Sequence, residues 1–219
     1  MNLQAALFDF DGTILQIEVL HQAIMKQVIE EYTKTIVDED ELRAGVGIPY
    51  EDRLIHMLAM RGIDDDMLVE KLTSYAEILR HAQPERSRML VPGITELLQR
   101  LHDAGVKMAV VSSATHQRLE DELVIVGLRK FFQCVVGRDD VSAHKPHPEP
   151  YETALQKLDV QAKNTVAFED SPTGVESAWL AGIPVIGLLT TFHAEDLAKA
   201  SKVIRDFSSL NINDINTLL

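Results

Sequence analysis

The sequence predicts an α/β protein, with a Rossmann-like parallel-sheet core domain and an inserted all-helical cap domain. From about residue 88 onward, short apolar runs alternate with stretches of helical periodicity, as in a parallel sheet with crossover helices. Another apolar run, 4–8, lies near the start of the chain. Between them, residues 15–87 show helical periodicity and no convincing strand. We therefore assign 1–14 and 88–219 to the core domain and 15–87 to the cap domain.

The cap helices are predicted from the spacing of apolar residues. In residues 17–32 apolar side chains, Tyr32 among them, recur every three or four positions, as they do on one face of a helix. Asp64, Asp65 and Asp66 supply a helix start ahead of a second apolar stripe. The insertion is therefore expected to be a separate helical unit.

The core strands after the cap are predicted from four apolar runs, each followed by polar or turn residues. These runs are 106–111, 133–136, 165–168 and 183–188. Helical stretches lie near 116–126, 149–158 and 173–181. Pro92 and Gly105 mark the start and the end of one further helix. The carboxyl ends of parallel strands meet at one edge of a sheet, so we expect the ligand site there.

Composition and charge limit the classes of molecule that this protein is expected to bind. Lys and Arg number 21 and Asp and Glu 34, so the net charge is −13. Such a surface disfavours nucleic acid and anionic membranes. The single cysteine, Cys134, excludes an intrachain disulfide, and no targeting or membrane-spanning segment is evident. We expect a cytoplasmic protein, monomeric or weakly dimeric, that acts on a small molecule.

Polar side chains follow the predicted strands at the expected edge of the sheet. They are Asp9, Asp11, Ser112, Ser113, Lys145 in a proline-rich loop, Glu169 and Asp170. Four carboxylates in one small site would repel one another, and a divalent cation relieves that repulsion. Oxygen ligands favour Mg²⁺, while lysine and serine suit a phosphate. The residues therefore predict Mg²⁺-assisted phosphoryl transfer.

Four segments together resemble the motifs of the haloacid dehalogenase-like superfamily. They are Asp9-Phe10-Asp11-Gly12-Thr13, the hydroxyl residue at the end of the second core strand, Lys145-Pro146-His147-Pro148, and Glu169-Asp170-Ser171-Pro172-Thr173-Gly174. The helical insertion resembles the C1 cap of that superfamily. The chain is most similar to the branch that holds β-phosphoglucomutases, phosphoglycolate phosphatases and sugar phosphatases.

The resemblance implies a role for each motif residue. Asp9 would attack phosphorus and become an aspartyl-phosphate, and Asp11 would protonate the leaving alcohol and then deprotonate water. Ser112 and Lys145 would contact the transferring phosphoryl group. The Asp9 side chain, the Asp11 carbonyl, Asp170 and Glu169 would hold Mg²⁺. The Ser113 backbone, close to the phosphoryl group, and cap residue His21 are further substrate-binding candidates.

The sequence leaves three candidate functions for this protein. A phosphatase of small phosphomonoesters is preferred to a β-phosphoglucomutase-type mutase, because the loop at 45–52 lacks an early arginine and Arg53 comes late. A non-catalytic binding module comes third, since neither the nucleophile nor a metal ligand is missing. Lid hinges are expected near 15–18 and 84–90, and the apolar Ile17 stands where the branch commonly has a hydroxyl residue. Trp179 is expected to be a packing residue.

Overall fold

The protein divides into two compact units. The structure, a computed structural model, describes residues 3–16, 18–44, 50–82 and 90–219. The units comprise residues 1–16 with 89–219, here the core unit, and residues 17–88, here the cap unit. The sequence placed these boundaries after residues 14 and 87. The predicted hinges and the 45–52 loop lie partly outside the described residues.

The core unit contains a six-stranded sheet in which every pairing is parallel. The strands are β1 (Ala5–Phe8), β2 (Lys107–Val111), β3 (Cys134–Val136), β4 (Thr165–Glu169), β5 (Val185–Leu188) and β6 (Lys202–Ile204). Their order is β3-β2-β1-β4-β5-β6, so the first strand of the chain is flanked by β2 and β4. The predicted Rossmann-like sheet is confirmed. The sequence missed only β6 among the strands of the described chain, because this edge strand is largely exposed and has no long apolar run.

Helices make up the cap unit and flank the sheet. In the cap unit they are α1 (Glu18–Thr33), α2 (Glu39–Ala44), α3 (Tyr50–Ala59) and α4 (Asp66–Ala82). In the core unit they are α5 (Ile94–Asp103), α6 (His116–Ile125), α7 (Glu149–Leu158), α8 (Pro172–Leu180) and α9 (Ile212–Asn216). None of the helices in the described part of the chain has the length and apolar character that a membrane span needs.

Each unit has its own apolar core. In the cap unit, buried residues of α1, α3 and α4, including Met25, Leu54 and Leu72, form one cluster. In the core unit, one face of the sheet packs against α7 and α8. On the sheet, Phe8 lies opposite Phe168 in the register of β1 and β4, and their rings stack with centroids 4.6 Å apart.

Two large side chains on the helices are about half exposed. Tyr32, predicted on the apolar face of the first cap helix, is 47% exposed, whereas Met25 and Ile29 pack in the cap core. Trp179, predicted to be a packing residue, is 51% exposed near the end of α8. The Lys199 ammonium lies over the Trp179 ring, 4.7 Å from its centroid. Both residues lie on helices with several apolar positions, so periodicity alone did not define the buried face.

Candidate active site

The central strands bring three carboxylates together at their carboxyl ends. Asp9 directly follows β1, Glu169 is the last residue of β4, and Asp170 comes next. β1 and β4 are neighbours in register, so Asp9 and Glu169 lie side by side on adjacent strands. All three side chains are buried, and one carboxylate oxygen from each lies within 4.8 Å of the others. This cluster offers only oxygen donors, which are the ligands that Mg²⁺ and Ca²⁺ prefer.

Lys145 supplies a positive charge to the same cluster. Its ammonium donates to Asp9 Oδ1 at 2.7 Å, to Glu169 Oε1 at 2.5 Å and to the Val111 carbonyl at the end of β2 at 2.9 Å. The Lys145 side chain is 5% exposed. The amine is therefore fixed between the central strands and touches the predicted nucleophile.

The carboxylate of Glu169 is surrounded by hydrogen-bond donors. Besides Lys145, the Tyr151 hydroxyl donates to Oε1 at 2.9 Å. The Asp170 amide donates to Oε2 at 3.1 Å, and the Ser171 amide and hydroxyl donate to the same oxygen at 3.3 and 3.1 Å. Five donors on one carboxylate occupy most of its lone-pair directions. Glu169 is thus held tightly beside Lys145, and its ligation of a metal ion stays a prediction.

Asp170 is held by the loop that follows β1. The Thr13 hydroxyl donates to Asp170 Oδ1 at 3.4 Å. Between Asp11 and Thr13, Gly12 has a φ of +90°, and a Cβ there would lie 1.9 Å from Asp170 Oδ2. Any other L-residue at position 12 would be strained and would displace the carboxylate. The Asp-Gly-Thr sequence therefore allows the first loop to approach the second carboxylate closely.

Burial and mutual repulsion make these carboxyl groups hard to ionise. Burial raises the pKa of Asp9 well above its usual range, Lys145 opposes this, and Glu169 and Asp170 add to it. Burial and the charge of Glu169 raise the pKa of Asp170 to about 8. Burial alone would lower the pKa of Lys145, but Asp9 and Glu169 outweigh it and raise the pKa. A cation bound among the carboxylates would favour their ionised forms.

Asp11, the predicted acid/base, is partly exposed and paired with a residue that the sequence analysis did not select. Arg118 Nη2 donates to Asp11 Oδ1 at 2.8 Å. The side chains of Asp11 and Arg118 are 26% and 13% exposed. Arg118 lies in the first turn of α6, 107 positions from its partner. A sequence pattern that spans only a few residues cannot indicate a contact between positions so far apart in the chain.

The remaining predicted residues lie in different surroundings. Ser112 follows β2, is buried, and its Oγ accepts the Ala114 amide at 3.3 Å. Ser113 is exposed. His21 belongs to the cap unit, where its ring meets Tyr50 edge-to-face with centroids 5.9 Å apart. The roles of these residues toward a substrate stay predictions.

The charges at the edge of the sheet match a divalent cation. Four carboxylates, those of Asp9, Asp11, Glu169 and Asp170, face two cationic side chains, Lys145 and Arg118. A divalent ion would balance the two remaining negative charges. The buried carboxylate oxygens, together with the raised pKa values of Asp9 and Asp170, therefore fit a metal ion of that charge.

Gly174 gives a steric test of this site. It lies in α8, where helix propensity alone predicts that alanine would stabilise the protein by up to about 1 kcal/mol. A Cβ at this position would lie 1.8 Å from Glu169 Oε1 and 2.0 Å from its carboxyl carbon. We expect Gly174→Ala to lower the free energy of unfolding by about 1–3 kcal/mol, because the overpacked carboxylate must move. Urea denaturation checks this.

Thr173→Ala, at an exposed position in the same turn, is the matched control and should change stability by less than about 0.5 kcal/mol. A Gly174→Ala variant as stable as the control would contradict the close approach of α8 to Glu169.

A buried aspartate after the first strand of a Rossmann-like sheet, faced by a lysine and two further carboxylates, is an arrangement suited to enzymes that transfer groups through a carboxylate nucleophile. The family model for haloacid dehalogenase-like hydrolases matches residues 6–188. The chain belongs to this family.

Individual relatives cover nearly the whole chain. It is 32% identical over 209 residues to "Validoxylamine A 7'-phosphate phosphatase" of Streptomyces hygroscopicus subsp. limoneus, covering 94% of this chain and 95% of that protein. It is 30% identical to "Phosphorylated carbohydrates phosphatase" of Thermotoga maritima, covering 83% and 82%. CbbY of Rhodobacter sphaeroides, solved in complex with phosphate, shares 27% identity and superposes with a TM-score of 0.78, covering 95% and 96%. These relatives place the chain among hydrolases that include phosphatases of phosphoric monoesters.

Proposed function

We propose that this protein is a Mg²⁺-dependent phosphatase that hydrolyses a small phosphomonoester through an aspartyl-phosphate on Asp9. The observation that carries the proposal is the contact of Lys145 with both Asp9 and Glu169 in a buried cluster of carboxylates. The amine offsets the charge of the nucleophile and of the incoming phosphoryl group. When bound, Mg²⁺ would supply electrostatic stabilisation of the phosphoryl oxygens, held by Asp9, Asp170 and the Asp11 carbonyl.

The chain's own residues account for each step. An oxygen of Asp9 attacks phosphorus, the bond from phosphorus to the leaving oxygen breaks, and Asp11 donates its proton to that oxygen. Asp11 then removes a proton from water, which attacks phosphorus and releases phosphate from Asp9. The Ser112 hydroxyl accepts from the Ala114 amide, so its own proton can be donated to a phosphoryl oxygen.

The substrate class is proposed to be phosphorylated carbohydrates and similarly small, oxygen-rich alcohols. The names of the two curated relatives support it. The test is phosphate release from a panel of sugar phosphates, phosphoglycolate, glycerol phosphates and pyrophosphate, with Mg²⁺ and with EDTA. We expect Mg²⁺-dependent turnover of at least one monoester. No turnover across the panel would overturn the proposal.

A phosphomutase is the second candidate. It would require a group that holds the second phosphate of its bisphosphate intermediate, and the part of the 45–52 loop before residue 50 lies outside the described residues. Arg53 is buried within the cap unit and donates to the Leu42 carbonyl at 3.1 Å, which gives it a structural task there. Conversion of β-glucose 1-phosphate to glucose 6-phosphate with a bisphosphate primer would instead establish the mutase.

Metal removal should alter stability in a pH-dependent way. The pKa of Asp170 is about 8 in the folded protein against an ordinary 3.8, and that of Asp9 is also raised. A raised carboxyl pKa means that the folded state holds protons which the unfolded state has released. Stability in EDTA is therefore lost as pH rises from about 4 toward 8. Mg²⁺ favours the ionised carboxylates and offsets this loss.

We expect the increase in thermal midpoint on replacing EDTA by saturating Mg²⁺ to be larger at pH 8 than at pH 6. Differential scanning fluorimetry at the two pH values measures it, with NaCl added to EDTA samples to match ionic strength. An increase that is equal at both pH values would show that protons and metal do not compete at these carboxylates.

A further inference from the structure

The pairing of Arg118 with Asp11 is not explained by the folding of the core unit. Arg118 extends from the first turn of α6 and contacts the loop that follows β1, where Nη2 and Oδ1 lie 2.8 Å apart. Among the residues that the structure describes, Arg118 is the one side chain in hydrogen-bond contact with the Asp11 carboxylate. Without Arg118, no side-chain hydrogen bond in the described part of the chain would select one rotamer of this carboxylate.

Asp11 is the one hydrogen-bond partner of the Arg118 guanidinium among the described residues. Its Nε is buried and has no hydrogen-bond partner in the described part of the chain. A buried donor without a partner lowers stability, and an arginine whose task was structural would use its planar set of donors more fully. Arg129 shows the contrast, because its Nε pairs with Glu120 and its Nη1 donates to the Phe132 carbonyl.

We infer that Arg118 is a positioning residue that holds the Asp11 carboxyl toward the leaving oxygen of the substrate. This inference rests on the proposed function, in which Asp11 gives its proton to that oxygen. Because proton transfer requires the two oxygens to lie within hydrogen-bond distance, an Asp11 side chain that rotates away cannot act. Arg118 contacts one carboxylate oxygen, which leaves the other to face the substrate.

The leaving group of the substrate distinguishes positioning from a structural role. An alkoxide is a poor leaving group and needs a proton as the bond to phosphorus breaks, whereas p-nitrophenolate leaves without one. A misplaced Asp11 should therefore slow the hydrolysis of an alkyl phosphate far more than that of p-nitrophenyl phosphate. The parameter to compare is kcat/KM, since it includes formation of the aspartyl-phosphate but not its later hydrolysis.

The experiment measures kcat/KM for the sugar phosphate that the wild-type protein hydrolyses fastest and for p-nitrophenyl phosphate. We expect Arg118→Ala to lower the ratio of the two values by at least about tenfold, a part of the roughly 10²–10⁴-fold that a general acid contributes. Arg118→Lys, which keeps the charge and one donor, should restore part of the ratio. Asp11→Asn should lower it at least as much as Arg118→Ala.

Arg129→Ala is the matched control. It breaks an ion pair with Glu120, which lies on α6 as Arg118 does, and it should leave the ratio unchanged. If Arg118→Ala does not lower this ratio, whether because both kcat/KM values fall equally or because neither falls, the inference is overturned. The proposed phosphatase function would not be affected by that result. A wild-type protein that hydrolyses neither substrate would overturn the proposed function itself, and the role of Arg118 with it.

Discussion

Asp9→Asn is expected to lower kcat/KM for phosphomonoesters by at least about 10⁴-fold, the loss seen when a covalent nucleophile or its partner is removed. Asparagine has nearly the same shape, but its amide cannot attack phosphorus. Phosphate release from the best substrate measures the effect, with Asp121→Asn, an exposed aspartate on α6, as the control.

The same variant should remain folded. Burial and the nearby carboxylates of Glu169 and Asp170 raise the pKa of Asp9, so its ionised form is disfavoured in the metal-free protein, and Lys145 keeps Glu169 as a partner when residue 9 becomes asparagine. We expect the thermal midpoint in EDTA not to fall below that of the wild type. An Asp9→Asn protein that stays folded and keeps more than a tenth of the activity would eliminate Asp9 as the nucleophile.

Lys145→Met is expected to have the second largest effect, on both activity and stability. Methionine retains most of the volume but leaves Asp9 and Glu169 without the buried amine that lies between them. Removing one partner of a buried ion pair costs about 3–5 kcal/mol. We expect an unfolding free energy lower by about that amount in EDTA, measured with urea, and phosphatase activity lower by at least about 10²-fold.

Mg²⁺ should recover more stability in Lys145→Met than in the wild type, because the ion replaces part of the missing positive charge. Lys157→Met is the control, since that lysine is 40% exposed and lies 3.7 Å from Asp140, away from the cluster. A Lys145→Met protein as stable as this control would contradict the buried ion pairs described above.

The core motifs could be predicted because their chemistry is local in sequence. Asp9 directly follows an apolar run, and a parallel strand buried on both faces must read as such a run. Glu169 ends β4 and Asp170 follows it, for the same reason. The resemblance to a known superfamily then implied a role for each residue, and the family match confirms the resemblance itself.

Other features depend on contacts that no local pattern reports. Arg118 meets Asp11 across 107 positions, and the Tyr151 hydroxyl reaches Glu169 from a helix whose apolar face makes tyrosine look like ordinary packing. β6 pairs with β5 through backbone groups, with exposed or half-buried side chains, so its apolar content is no guide. Trp179 shows that a large apolar residue on a helix need not face the core.

The stacked rings of Phe8 and Phe168 affect the position of the carboxylates that follow them. Phe8 precedes Asp9 and Phe168 precedes Glu169, and successive side chains of a strand point to opposite faces of the sheet. The two rings oppose slippage of β1 against β4, and a slip of one residue would bring Phe10 or Phe8 toward the place of Asp9. The packing of these two rings therefore helps to keep Asp9 beside Glu169 at the edge of the sheet.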